Sequence, residues 1–197
     1  MSPLSSICSV GPTDECLWAR SHKGDRQARA ELFSRHRSLA YRVAYRLLGN
    51  EADALDAVQD GFVKALVNLD SFRGKSTFKT WLLRVVTNAA LDLGRQRGRR
   101  EALPVEHAVG DDMDAGAPSS WHNPAERLER ADLRRLLDKA LAALPEAQRQ
   151  TFVLHAEAEL SYRETADVLG ISIGTVMSRL YYARQKLRGF LGIRQES

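Results

Sequence analysis

The sequence contains little cysteine and no long apolar run, and each shortage excludes a class of protein. Cys8 and Cys16 have no histidine cluster near them, so neither a zinc set nor a disulfide framework is expected. No apolar stretch approaches the roughly 18 residues that a transmembrane helix needs, and no secretory signal pattern opens the chain. We therefore predict a cytoplasmic protein with reduced cysteines and no membrane insertion.

The sequence also lacks a catalytic constellation and the alternating pattern of β-strands. Its five histidines are scattered without metal-ligand spacing, and no candidate nucleophile, base and orienting residue are grouped together. No segment alternates apolar and polar residues over the length of a strand. These absences predict an all-α protein that is not an enzyme and uses no cofactor and no metal.

The net charge of +4 is distributed unevenly along the chain. Residues 27–100 carry a net charge of +7, whereas residues 101–130 carry −5. Lys and Arg that face phosphates gain free energy from counterion release, so the basic segment favours a polyanion partner. A solvated basic surface explains the same charges equally well, and charge alone leaves the two interpretations open.

From residue 25 onward the chain has the spacing and end signals of helices. Asp25 suits the N-cap of the first long helix, and Gly49 suits its end. The segment EADALDAVQDGFVKALVNL predicts an amphipathic helix, in which Gly61 costs about 1 kcal/mol relative to alanine. A third helix follows the loop DSFRGKS and ends in a basic cluster. The side chains that we expect the amphipathic helix to bury are Leu55, Val58, Phe62, Leu66 and Leu69.

A compositional change separates this half of the chain from the next. Residues 101–122 combine proline, glycine and an acidic run with few large apolar side chains, so they bury too little surface to become ordered. Helical periodicity restarts with Asn123 at a suitable N-cap and Pro124 at the first helical position. The fold predicted is therefore two small helical bundles joined by a flexible acidic linker.

The C-terminal segment around LGISIGTVMSRL has the chemistry of a helix-turn-helix. Ser161 and Glu164 have the spacing of a capping box, and Gly170 can adopt positive φ at the turn. Ser172 suits the N-cap of the following helix, whose first backbone N–H groups favour an anion. DNA binding is the interpretation that we favour, although a plain helical hairpin in a core has a similar pattern.

Three motifs in order resemble the bacterial RNA polymerase sigma factors of the extracytoplasmic-function group. They are DALDAVQDGFVKAL, FRGKSTFKTWLLRVVTNAALD and LSYRETADVLGISIGTVMSRLYYARQKLR, and the match covers residues 25–191. The resemblance implies a transcription initiation factor that binds core RNA polymerase and promoter DNA. The implied divisions are an N-terminal extension (1–24), region 2 (25–100), a linker (101–122), region 4 (123–191) and a tail (192–197).

The resemblance also assigns roles to particular residues. It implies that region 2 binds the polymerase clamp and opens the minus-10 element, and that region 4 reads the minus-35 element. Trp81, by its register, belongs to the core rather than stacking on a base. The residues implied to bind polymerase are Asp56, Gln59, Asp60 and Phe62. Those implied to contact the minus-10 element are Ser71, Phe72, Arg73, Gly74, Lys75, Ser76, Lys79, Arg84, Asn88, Asp92 and Arg95. Those implied to contact the minus-35 element are Ser172, Gly174, Thr175, Met177, Ser178, Arg179, Tyr181, Tyr182 and Arg184.

Three positions depart from the family pattern. Family members often carry basic residues at the positions of Met177 and Tyr182, and a glycine at the position of Glu159. The minus-35 preference is therefore the least transferable feature. Two alternatives stay open: a free-standing helix-turn-helix regulator, and an interaction module that never touches DNA. An anti-sigma factor is a further expected partner, and its binding is compatible with a role in initiation.

Overall fold

A computed structural model describes residues 11–101 and 124–192, which form eight α-helices and one short 3₁₀ helix. This confirms the all-α prediction for the described residues. The predicted linker after Glu101, the cap at Asn123 and both chain ends lie outside them. The helices are α1 (Asp14–His22), α2 (Arg26–Leu48), α3 (Glu51–Val67), α4 (Phe78–Glu101), α5 (Pro124–Ala142), α6 (Glu146–Ala156), α7 (Tyr162–Leu169) and α8 (Ile173–Phe190), with the 3₁₀ helix (Leu69–Ser71) between α3 and α4.

Helices α1 to α4 form the first bundle, and local capping sets their ends. Asp25 accepts hydrogen bonds from the amides of Gln27 and Ala28 at 3.0 Å, which starts α2 as predicted. Gly49 ends α2 in the left-handed conformation at φ +79°, where a side chain would be strained. Asn50 then caps α3. The chain thus turns from α2 into α3 within two residues.

The buried side of α3 differs from the prediction, and Gly61 provides the reason. A methyl group added at Gly61 would lie 2.9 Å from the Cα of Val86, so α3 and α4 approach backbone to backbone. Small side chains therefore line this contact, and the predictions that Leu55 and Leu66 are buried were wrong, since both are exposed. The buried residues of α3 are Ala54, Ala57, Val58, Gly61 and Ala65.

Helices α5 to α8 form the second bundle, which contains the predicted helix-turn-helix in α7 and α8. Ser161 and Glu164 form the predicted capping box at the start of α7. Gly170 ends α7 with φ +65°, and Ser172 caps α8, as expected from the sequence. Helix α8 continues to Phe190.

The two bundles share one apolar core. Val153 and Leu154 of α6, with Leu160 in the turn that follows, belong to the same buried cluster as the centre of the first bundle. Val168 of α7 joins them. A smaller cluster, built from Ala140, Leu141, Leu144, Ala183 and Leu187, ties α5 to α8. Helices α6 and α7 therefore hold the two bundles together.

Candidate nucleic-acid and protein interfaces

The outer face of α3 carries the carboxylates that the sequence assigned to polymerase binding. Asp56, Gln59 and Asp60 are exposed, and Asp60 pairs with Lys64 at 2.7 Å on the same face. Val63 and Val67 lie beside them and are exposed as well, Val67 by 77%. Acidic groups next to exposed apolar side chains form a surface suited to a partner protein.

Phe62 lies on the inner side of α3, as the amphipathic pattern predicted, and away from the exposed face that carries the other residues implied to bind polymerase. Its ring is partly buried and packs edge-on against Phe33, with ring centroids 5.5 Å apart. The side chain therefore supports the α3 face from beneath instead of projecting from it as an anchor. A direct contact of the Phe62 ring with polymerase stays a prediction of the resemblance.

The loop 71–76 begins at Ser71, the last residue of the 3₁₀ helix, and leads toward α4. Arg73 and Lys75 are exposed on either side of Gly74, which takes φ +68°. Ser71 is exposed and Ser76 is half-buried. The loop thus presents two cations and two hydroxyls at a tight bend, a composition suited to a nucleic-acid backbone.

Phe72 is the exception within this loop, because its side chain is buried. Its ring packs edge-on against the rings of Trp18 and Phe78, with centroid distances of 5.4 Å and 5.7 Å. The centroid of the Trp81 ring lies 5.4 Å away. The prediction that Phe72 contacts DNA is therefore corrected: the side chain holds the base of the loop in the core. Trp81 packs in the same aromatic cluster, as its helical register predicted.

Helix α1 supports the loop, a role that sequence reasoning missed. Trp18 meets Phe72 in the aromatic cluster, and Nδ1 of His22 lies 3.6 Å from a carboxylate oxygen of Asp70. Leu17 is buried beneath them. The local sequence indicates only a helix start at Thr13, whose hydroxyl accepts the Cys16 amide at 3.3 Å, and no spacing rule connects Trp18 with a partner 54 positions later.

Helix α4 extends the polar surface beyond the loop. Arg84, Asn88, Asp92 and Arg95 are exposed and recur at three- and four-residue intervals, so they form one row. Lys79 is not part of this row. Its ammonium group donates a hydrogen bond of 3.2 Å to the carbonyl of Ala158 in the second bundle. Lys79 thus contributes to the contact between the bundles, and its contact with DNA phosphate stays a prediction.

The N-terminal half of α8 projects from the helix-turn-helix. Most of the side chains predicted to read the minus-35 element are exposed, whereas Thr175 and Arg179 are half-buried. The first turn is closed by Ser172, which accepts a hydrogen bond from the Thr175 amide at 3.1 Å. The exposed members of the set are Ser172, Gly174, Met177, Ser178, Tyr181, Tyr182 and Arg184.

The described part of the chain contains neither a metal-ligand cluster nor a membrane-spanning helix. No group of three or more His, Cys, Asp or Glu side chains there is arranged to hold a metal ion. Among the helices of residues 11–101 and 124–192, none combines the length and the apolar character needed to cross a bilayer.

Comparisons with known proteins identify the two bundles. The Sigma-70 region 2 family matches residues 32–100, and the Sigma-70 region 4 family matches residues 134–187. The ECF RNA polymerase sigma factor SigW of Bacillus subtilis is 33% identical over 168 residues, covering 84% of this chain and 90% of that protein. The chain belongs to the extracytoplasmic-function sigma factors. This sigma factor acts in promoter recognition and transcription initiation with RNA polymerase, and it is not an enzyme.

Two further relatives agree with this assignment. The ECF RNA polymerase sigma factor SigE of Mycolicibacterium smegmatis is 39% identical over 163 residues, which cover 82% of this sigma factor but only 60% of that longer protein. The structure of the sigma factor RpoE in complex with the anti-sigma factor NepR, from Bartonella quintana, is similar with a TM-score of 0.62. It is 28% identical and covers 81% of this chain and 93% of that one.

Polar contacts across the boundary fix the two bundles of this sigma factor against each other. Arg42 donates a hydrogen bond of 2.6 Å to Glu157, and Arg46 forms an ion pair with Asp138. The Thr80 hydroxyl donates to Glu164 at 2.9 Å. The Ser161 amide, and then the Ser161 and Thr80 hydroxyls, hold the pKa of Glu164 below its usual value although partial burial opposes the shift.

A groove between the bundles brings together residues assigned to the two promoter elements. Asn88, Asp92 and Arg95 line it from α4, and Arg179 lines it from α8. Glu146 of α6 also lines the groove. In this arrangement Arg179 points toward the first bundle, whereas Met177, Tyr181 and Tyr182 stay exposed.

Proposed function

We propose that this sigma factor binds core RNA polymerase through the outer face of α3. The exposed carboxylates of Asp56 and Asp60 provide charge complementarity to a basic partner surface, and Gln59 adds a neutral hydrogen-bonding group. Val63 and Val67 add apolar area that becomes buried on contact. The observation that carries this assignment is the coexistence of acidic and large apolar side chains on one exposed helix face.

The loop 71–76 opens the minus-10 element in this proposal. Extruding a base from the duplex costs a few kcal/mol, which contacts to the released base and its phosphates can offset. Arg73 and Lys75 supply the cations, and the hydroxyls of Ser71 and Ser76 supply hydrogen bonds. Phe72 holds the loop from below. Arg84, Asn88, Asp92 and Arg95 then follow the strand along α4.

The helix-turn-helix reads the minus-35 element through α8. The N-terminal residues of such a recognition helix contact base edges, whereas residues farther along meet the sugar-phosphate backbone. Ser172 and Gly174 are small and lie at the exposed start of α8, so this end of the helix can approach the base edges closely. Arg184, which lies farther along α8, contacts the sugar-phosphate backbone of the DNA. The proposed boundaries are residues 25–100 for region 2 and 123–191 for region 4, with residues 101–122 as linker.

An anti-sigma factor is the proposed second partner, acting on the same surfaces as polymerase and promoter. The relative from Bartonella quintana bound to NepR supports this expectation. The proposed location is the cytoplasm, where polymerase and promoter DNA are found.

The deciding experiment is transcription by purified core polymerase with the full chain on a library of promoters, with DNA binding by the chain alone measured in parallel. We expect initiation from a subset of promoters that depends on the chain, and weak binding without core. Tight sequence-specific binding without core, combined with no initiation in its presence, would overturn the proposal in favour of a free-standing regulator.

A variant in α8 tests the DNA side of the same experiment. Arg184→Ala removes one exposed cation, so we expect weaker promoter binding and a salt dependence reduced by the equivalent of about one phosphate contact. Core binding should be unchanged, because α8 lies away from the α3 face. An unchanged salt dependence would remove Arg184 from the DNA interface.

A further inference from the structure

Three large apolar side chains form an exposed stripe on α8. Ile173, Met177 and Tyr181 recur every four residues, so they follow one side of the helix. Met177 is 54% exposed and Tyr181 is 58% exposed. The stripe begins at the capped end of the helix, which is the end that meets base edges in a helix-turn-helix.

The hydroxyl groups near this stripe are engaged in hydrogen bonds within the helix. Ser172 and Thr175 join their side-chain oxygens at 2.8 Å, and Ser178 donates its hydroxyl to the carbonyl of Thr175 at 3.1 Å. Farther along α8, the side-chain amide of Gln185 donates a hydrogen bond of 2.8 Å to the Tyr181 hydroxyl and restrains the tyrosine ring. The first turns of α8 therefore present apolar surface more readily than hydrogen-bond donors.

Charge identifies nucleic acid as the occupant of this side of α8. Within Ile173–Phe190 there is no Asp or Glu, so the helix is electrostatically suited to a polyanion. Arg184 and Arg188 continue the line of the stripe toward the C-terminal end and are exposed. Arg179 lies elsewhere, in the groove facing α4. The stripe is thus apolar where the helix meets bases and basic where it meets phosphates.

We propose that Met177 and Tyr181 determine minus-35 specificity by contacting thymine methyl groups in the major groove. The C5-methyl of thymine is the apolar group that base pairs display there, whereas the other edge groups donate or accept hydrogen bonds. The flexible, polarizable side chain of Met177 adapts its shape to such a methyl, and Ile173 extends the apolar surface toward the turn. The inference rests on the proposed function of α8 and deepens it by naming the base feature recognised.

Uracil substitution tests this contact without altering base pairing. A minus-35 sequence is first selected from a randomised library with core polymerase and the full chain. Each thymine of that element is then replaced by uracil, which removes only the methyl group. We expect one or two positions at which uracil weakens holoenzyme binding about fourfold, the effect of exposing one buried methyl-sized group. A selected element without thymine on either strand would overturn the inference.

Variants of Met177 connect the effect to this side chain. Met177→Ala should bind the thymine promoter more weakly and lose the difference between thymine and uracil, whereas Met177→Leu should keep the difference because it preserves apolar volume. Arg188→Ala is the phosphate control and should weaken binding to both templates equally.

The possible outcomes distinguish a failure of the thymine-methyl contact from a failure of the proposed promoter recognition by α8. A strong minus-35 preference that is indifferent to uracil at every thymine would overturn the methyl contact and leave promoter recognition intact. An equal loss on both templates in Met177→Ala would also overturn it, because the side chain would then act on a partner protein or on helix placement. Selection of no minus-35 sequence at all would remove the DNA-reading role of α8 and the inference with it.

Discussion

Thr80 in α4 donates its hydroxyl to the carboxylate of Glu164 in α7, across the boundary between the two bundles, at 2.9 Å. The same carboxylate accepts the Ser161 amide at 2.9 Å and closes the capping box of the helix-turn-helix. One side chain therefore both starts α7 and attaches it to the first bundle. The position of the helix-turn-helix is thereby coupled to α4, the helix that follows the loop 71–76.

Glu164→Gln should make the stability of this protein less dependent on pH. Because hydrogen bonds from Ser161 and Thr80 lower the folded-state pKa of Glu164, its ionised form stabilises the fold at any pH above the unfolded-state pKa. That contribution is lost as the pH falls through the lower folded-state pKa. Glutamine keeps the acceptor oxygen but not the charge, so we expect a loss of about 1 kcal/mol at neutral pH.

Thermal unfolding of both proteins between pH 7 and pH 3 measures this effect. The difference in Tm between the original protein and Glu164→Gln should shrink as the solution becomes more acidic. Asp167→Asn is the matched control, since Asp167 is an exposed acid on the same helix. A difference that stays constant down to pH 3 would contradict the assigned role of the Glu164 charge.

Charge reversal at Arg46 should loosen the contact between the bundles. Arg46 is only 16% exposed and pairs with Asp138, while a carboxylate oxygen of Glu157 lies 4.0 Å from it. Arg46→Glu would bring a third carboxylate to this place, and we expect a loss of about 2 kcal/mol from the interface. Small-angle scattering should then report a larger radius of gyration.

Charge reversal at the partner residue, Asp138, provides the control for this prediction. Asp138→Arg alone should also enlarge the molecule, because two guanidinium groups would then face each other. The double variant Arg46→Glu with Asp138→Arg recreates an ion pair and should recover part of the compactness, as a double-mutant cycle requires of interacting residues. Additive effects of the two substitutions would show that this pair does not hold the bundles together.

Features of this fold that depend on residues close together in the sequence could be predicted. Features that depend on residues far apart in the sequence could not. The caps at Asp25, Ser161 and Ser172 follow from hydrogen bonds over two or three residues, so the sequence displays them directly. The buried side of α3 depends on Val86, in another helix, and Phe72 is buried because Trp18 and Phe78 surround it. Aromatic and apolar spacing alone carries no information about such partners.

Gly61→Ala should destabilise the protein although alanine is the better helix former. The gain in helix propensity is about 1 kcal/mol, but the added methyl would lie 2.9 Å from the Cα of Val86. The backbone of α4 at Val86 cannot rotate out of the way as a side chain can, so α3 and α4 would have to move apart. Overpacking of this kind costs about 1–3 kcal/mol, and we expect a net loss in chemical denaturation.

A second glycine in the same pair of helices supplies the control. Gly98 lies in α4 with nothing within 4 Å of the position a methyl would occupy. Gly98→Ala should therefore gain up to about 1 kcal/mol in the same measurement. If Gly61→Ala is as stable as Gly98→Ala, the close approach of α3 and α4 is not a constraint on the fold.

Asp60→Lys should weaken binding to core polymerase while leaving the fold intact. Asp60 is half-exposed, and its ion pair with Lys64 is a surface pair worth less than about 1 kcal/mol, so the folding cost is small. A lysine facing a basic partner surface adds like-charge repulsion at the interface, and we expect at least tenfold weaker binding. Asp167→Lys makes the same change of charge on an exposed site of α7 and should bind core as the original protein does. Equal core affinity for the two variants would place the polymerase contact on another surface, because the α3 face would then tolerate the charge that it is proposed to exclude.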